Sequence, residues 1–405
     1  MKKMSIRMSG FCLAAGMAIS GLQGVEGVQA QEDAASDLTA SVVKVQDELQ
    51  HRQHEHPGLT AAQEPGFWDN FEWSLALDGI IQGNTGSAVW EDQADAVYGI
   101  DLDALYSIGD SGTAYAKIEA GGGEGVDGRI GTFSGFNDHT WGDDSIEVVE
   151  MWYEHSWCDG RYRGRIGKVD LTTDFDTNAY ANCEHEQFIS SGFINNLAHD
   201  MPDNTFGAMF WWQPSDSFSI GVGYQSTSGW DDIFDRGYGI LEFGWHPVFN
   251  GHQGNYRFYG WAGSYDGYFD EDAGEEVDEY SNYGWGLSFD QEISAHLGVW
   301  CRYGWKPDED YNPFDQHTSF GIQLMNFGCR TDDALGIAYG VASLSDSYAS
   351  TLDEADDEKH IEVYYRAQIN DYIAITPNLQ WVDNAEGDAA NDDVLVLGFR
   401  GVFML

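Results

Sequence analysis

The final twelve residues, Val394-Leu395-Val396-Leu397-Gly398-Phe399-Arg400-Gly401-Val402-Phe403-Met404-Leu405, decide the fold. Leu395, Leu397, Phe399, Phe403 and Leu405 share one face with Gly401, whereas Val396, Gly398, Arg400 and Val402 take the other. This period of two is that of a β-strand. A strand with one strongly apolar face, running to the last residue, has the form expected of the closing strand of an outer-membrane barrel.

Working back from this strand, the same alternation recurs. Val363, Tyr365, Ala367 and Ile369 alternate with Glu362, Tyr364, Arg366 and Gln368. Ala114, Ala116, Ile118 and Ala120 alternate with Tyr115, Lys117 and Glu119, and Tyr162, Gly164 and Ile166 with Arg161, Arg163 and Arg165. From Phe67 onward about 16 such runs are expected, the outermost near 68–82 and 392–404. Their connections alternate in length. Short ones fall at Asp110-Ser111-Gly112, Cys158-Asp159, Pro214-Ser215-Asp216, Ile293-Ser294 and Asn370-Asp371. Long ones fall near 83–93, 123–144, 171–204, 266–280, 308–315, 344–357 and 383–391. Tight turns on one side and long loops on the other describe an all-β, antiparallel up-and-down transmembrane barrel. A soluble sandwich has no reason to alternate its loops in this way.

Before the barrel the pattern differs. Lys2, Lys3 and Arg7 precede an apolar stretch from Phe11 to Leu22 and the small-residue site Val28-Gln29-Ala30, the form of a signal peptide cut after Ala30. Residues 31–66 are expected to form a short periplasmic helix on Leu38, Val42, Val45 and Leu49, then a solvated linker containing His51, His54 and His56. The domain reading is therefore a signal at 1–30, an extension at 31–66 and a barrel at 67–405.

The charge narrows the function. Sixty-eight acidic residues against 19 basic give −49, which repels phosphate backbones and excludes nucleic acid as a partner. Eight carboxylates lie in Asp266–Glu279 and five in Asp353–Glu358, both expected as solvated external loops. No cofactor is expected, and Ca2+ or Mg2+ is foreseen only at these acidic loops, which lack EF-hand spacing. Cys158, Cys183, Cys301 and Cys329 fit no zinc pattern. No His-Glu-x-x-His or Gly-x-Ser-x-Gly motif is present, so nothing points to an enzyme.

Scarce basic residues mark the interior. Lys117, Arg163, Arg165, Arg257, Arg302, Arg366 and Arg400 lie on the polar phase, with Glu119 and Glu362. A charge facing lipid costs about 2–4 kcal/mol at mid-depth, so these side chains are expected to face the lumen. Facing guanidinium and carboxylate groups with aromatic rings suit sugar hydroxyls and pyranose faces. The plainer alternative is a transverse field that orders water and holds a loop in place. The loop 171–204, polar but carrying Phe175, Phe188, Ile189 and Phe193, is expected to fold inward to bury them, bringing Asp176 and Asn178 into the constriction.

Gly167-Lys168-Val169-Asp170, followed by Asp174-Phe175-Asp176-Thr177-Asn178 and Gln187-Phe188, resembles the central signature of the OprB-type carbohydrate-selective porins. Glu362-Val363-Tyr364-Tyr365-Arg366 and Ile375-Thr376-Pro377-Asn378-Leu379-Gln380-Trp381-Val382 resemble that family's penultimate hairpin. The likeness spans about Phe67–Leu405. It departs at Asn384-Ala385, where the family usually has Asn-Pro, and at Leu405, where an aromatic is usual. The resemblance implies a 16-stranded outer-membrane porin for diffusion of monosaccharides such as glucose, with Arg and Glu at the constriction. Expected partners are small sugars, membrane lipid and the barrel assembly machinery, the last through the C-terminal strand. The expected assembly is a monomer or homotrimer. A cation-preferring porin is the alternative, and a soluble secreted lectin a third reading.

Overall fold

The computed structural model describes residues 68, 70–87, 89–139, 142–230, 232–270, 275–327, 329–391 and 393–405. The expected signal peptide and the extension over 31–66 lie outside the described residues. The strands are β1 (Phe71–Thr85), β2 (Gln93–Ile108), β3 (Gly112–Gly123), β4 (Gly142–Trp157), β5 (Tyr162–Val169), β6 (Thr205–Ser215), β7 (Phe218–Ser226) and β8 (Gly237–Trp245). They continue with β9 (Val248–Phe249), β10 (His252–Asp270), β11 (Glu275–Ser294), β12 (Leu297–Trp305), β13 (Phe314–Phe327), β14 (Arg330–Leu344), β15 (Glu358–Asn370), β16 (Ile373–Asp383) and β17 (Val394–Met404). Apart from β9, a two-residue pair on the turn before β10, these make a closed barrel of 16 antiparallel strands.

Closure is between the first and last strands. β17 pairs with β1 from Ala76↔Met404 to Thr85↔Leu395. Leu75 and Leu405 complete the seam by exchanging backbone hydrogen bonds of 3.1 and 2.8 Å. A closed sheet has no edge, so every strand satisfies its backbone within the protein, as a bilayer demands.

Alternation assigns the two faces. Ile81, Leu397 and Phe399 are exposed, and Ile80, Val396, Arg400 and Val402 beside them are buried. In a membrane protein the exposed apolar phase is the lipid face. Trp157, Trp212, Phe218, Trp245 and Phe249 stand exposed at strand ends beside the short turns, as one aromatic girdle.

The buried apolar clusters lie inside and recruit loop residues. Val126, Ile130 and Phe136 pack with Val382, Val394 and Val396. Tyr180, Phe188 and Phe193 pack with Trp300, Ala338 and Tyr364.

Several expectations change. The stretch 266–280 is not a long loop, because β10 and β11 stay paired out to Asp270↔Glu275. Arg161 lies in the turn before β5 rather than on a strand. Glu358, counted with a solvated loop, begins β15 and is buried. Its carboxylate accepts from Phe133 N, Ser134 N, Ser134 Oγ and Glu386 N at 2.6–2.9 Å. Those donors lie on loops far away in sequence. Cys158, Cys301 and Cys329 are free thiols.

Candidate functional site

The segment 170–204, between β5 and β6, organises the interior. Its approach is fixed by Gly167, whose backbone has φ +151° and whose Cβ would run into Met151 O and Trp152. Only glycine accepts this combination. Immediately after β5, Arg163 and Arg165 clamp Asp174, with contacts of 2.5 Å to its two oxygens. Arg165 also binds Glu154 at 2.9 Å and stacks 3.9 Å over Trp152. Each contact is a charge-assisted hydrogen bond, stronger than one between neutral groups.

Asp176 then turns the chain with φ 56°. Its N–H donates to Glu242 on β8 at 2.9 Å, and its Oδ2 accepts from Asn196 N at 3.0 Å. The Arg302 guanidinium on β12 sits against the same turn. It donates to Ala181 O (2.6 Å), Phe193 O (2.8 Å), Asp176 O (2.9 Å) and Asn182 Oδ1 (3.1 Å), and pairs with Asp176 Oδ2 at 3.1 Å. Asn178 accepts from Tyr180 N and donates to Ser288 Oγ and Phe289 O on β11. Arg257 on β10 pairs with Asp290 of β11 at 2.9 Å, and Asp290 in turn accepts from Ala179 N of the segment at 3.3 Å.

The second half of the segment meets the opposite arc. Glu362 on β15 accepts from Ile189 N (2.8 Å) and Ser190 N (3.1 Å), and from Asn378 Nδ2 (2.6 Å). Arg400 on β17 donates to Glu184 O and, at 2.9 Å, to Gln187 O. Arg366 pairs with Glu186 at 3.0 Å. His185 meets Asp101 on β2 at 3.2 Å. The segment's partners thus come from strands spread around the closed sheet.

This geometry sorts the candidate residues. Asp176, Asn178, Arg302, Glu362 and Arg400 are buried, and each makes hydrogen bonds within the segment or to it. Their immediate role is the plainer alternative raised from the sequence, holding a loop. Lys117, Glu119 and Asn178 line a cavity of about 430 Å3, within the size range of small-molecule sites. The cavity's other charged lining is acidic: Asp101, Asp138, Glu150, Asp170 and Glu184 join Glu119. Among its described lining residues Lys117 is the single Lys or Arg, paired with Glu119 and, at 3.1 Å, with Asp101. Arg163, Arg165, Arg257, Arg366 and Arg400 do not line it.

The sequence reading missed Asp101, Asp138, Glu150, Asp170 and Glu184. Asp101 and Glu150 stand on the inward phase and were readable in principle. Asp138, Asp170 and Glu184 lie on loops, where no period reports direction.

Comparison with known proteins decides the family. Residues 87–405 match the family described as carbohydrate-selective porin, OprB family. The chain belongs to this family. OprB-family membership and the barrel place the protein in the outer membrane of a Gram-negative bacterium. The chain is 25% identical over 235 residues to an uncharacterised protein of Aquifex aeolicus, covering 58% of this chain and 62% of that one. It is 21% identical to porin B of Pseudomonas aeruginosa over 68% of this chain and 71% of that one. The high-pH structure of Pseudomonas putida OprB superposes with a TM-score of 0.71 at 17% identity, covering 83% of this chain and 94% of that one. That likeness is one of fold. The family match, covering β2 through β17, carries the assignment.

Proposed function

We propose that the protein is a passive channel for small neutral carbohydrates, monosaccharides such as glucose among them, narrowed by the segment 170–204. The observation that carries this reading is the anchoring of that segment to β2, β8, β10, β11, β12, β13, β15 and β17 beside a polar cavity of about 430 Å3. A segment tied to so many strands spans the lumen and leaves a passage walled by hydrogen-bonding groups, which replace water around sugar hydroxyls. The names of the OprB family and of porin B point the same way. In this reading the protein makes and breaks no covalent bonds, and its partners are the sugar, the surrounding lipid and the machinery that inserts barrels.

Planar-bilayer recording tests it. Glucose at high concentration should reduce the ion current in a saturable manner; a current that glucose leaves unchanged removes the sugar reading. A second reading, a cation-preferring channel, is favoured by the six carboxylates that face one lysine in the cavity. Reversal potentials in a salt gradient measure that preference.

A further inference from the structure

Three residues from distant parts of the chain meet beside the cavity. Asp78 lies on β1, His139 on the loop that follows β3 (124–139), and His185 on the segment 170–204. All three are buried. His139 Nε2 is 3.5 Å from Asp78 Oδ1, and His185 Nδ1 is 3.5 Å from Asp78 Oδ2. One ligand atom from each lies within 4.8 Å of the other two. For comparison, ligands held at about 2.0–2.1 Å around a tetrahedral ion are separated by about 3.3–3.4 Å.

We propose that Asp78, His139 and His185 bind a divalent transition-metal ion of the zinc class, which pins both inner loops to the barrel wall. Four independent features support the site. Two imidazoles and one carboxylate suit a borderline ion better than Ca2+ or Mg2+, which prefer all-oxygen shells. Among the described residues neither oxygen of the buried Asp78 carboxylate meets a donor with full hydrogen-bond geometry, and the two rings stand 3.5 Å from it. The second shell is in place as well: His185 turns its other nitrogen, Nε2, to Asp101 at 3.2 Å, and Lys117 holds Asp101 at 3.1 Å. A carboxylate behind a ligating histidine fixes the ring and its tautomer. Access is through the cavity, which His139 and Asp101 both line and from which water would supply the fourth ligand.

A proton is the competing occupant. Burial disfavours a charge on His185, but Glu184, Asp101 and Asp78 outweigh it and hold its pKa up at about 10. The metal would displace that proton.

Co2+ is the probe, added to chelator-stripped, detergent-purified full-length protein with Mg2+ in excess to occupy the acidic loops. One equivalent should bind and give the visible absorption of a low-coordinate site, displaced by Zn2+. His139→Ala should abolish the band, and Asp101→Asn should weaken binding about 10–100-fold. His139 makes no side-chain hydrogen bond among the described residues, so its loss spares the fold better than that of His185, and heat-modifiable migration reports folding of each variant. Absence of the band in the wild type, or an unchanged band in folded His139→Ala, overturns the proposal. Neither result depends on whether sugar passes through the channel.

Discussion

Arg302 shows how one residue can hold a loop that no sequence pattern positions. Its guanidinium serves three backbone carbonyls, one side-chain oxygen and one carboxylate, all supplied by the segment 176–193. Lysine offers one ammonium in place of a planar fork, so even Arg302→Lys is not conservative here. Arg302→Ala leaves Asp176 buried without its cation, a loss of about 3–5 kcal/mol in the anchoring of the segment. The expected outcome is a barrel that still inserts and migrates heat-modifiably but has larger and noisier single-channel conductance. Unchanged conductance would mean that the segment does not restrict the passage. Lys117 makes the complementary case. It is the single Lys or Arg among the cavity's described lining residues, so Lys117→Gln should shift the reversal potential toward stronger cation preference. Asp101 and Glu119 lose their counter-charge in that variant, and its effect should exceed that of removing the more distant Arg163.

Elements differ in how far the sequence reveals them. The strands were legible because a period of two assigns each side chain to a face, and a slip of one residue would turn Phe399 inward and Arg400 toward lipid. Loop partners were not, since Arg302 and Asp176, or Glu358 and Ser134, meet only after closure. The polar phase therefore gave the direction of Arg302, Glu362 and Arg400 but not what they bind. Candidate ligands such as His139 and His185 belong to no local motif at all. The loop 124–139 also carries a pH dependence of its own. Burial pushes the Asp127 carboxyl up to about 7 from its ordinary 3.8, against the opposing hydrogen bond from Phe136 N at 2.7 Å. The folded loop thus favours the protonated acid, so its stability falls as pH rises from about 4 to 7 and levels off above. Protection factors of residues 124–139, exchange rates taken relative to the intrinsic rate at each pH, should fall across that window. Asp127→Asn keeps an acceptor for Phe136 N and should remove the dependence.

At the scale of the whole molecule, two surfaces are under separate constraints. On the outside, Phe399→Arg places a charge in lipid at a cost of about 2–4 kcal/mol, which should appear as a lower urea midpoint in vesicles. On the inside the question is which acid sets selectivity, because carboxylates stand both in exposed loops and around the cavity. Ionic strength separates them. Screening shortens from about 10 Å at 0.1 M salt to about 3 Å at 1 M, and exposed loop carboxylates lose their reach accordingly. Carboxylates lining a cavity of about 430 Å3 lie close to any permeating ion and are screened far less. If Asp101, Glu119, Glu150 and their neighbours set the preference, cation selectivity survives at 1 M salt and Glu150→Gln reduces it. Selectivity that vanishes at 1 M and ignores Glu150→Gln would place its origin in the outer loops, leaving the cavity free to be shaped by the needs of a neutral solute.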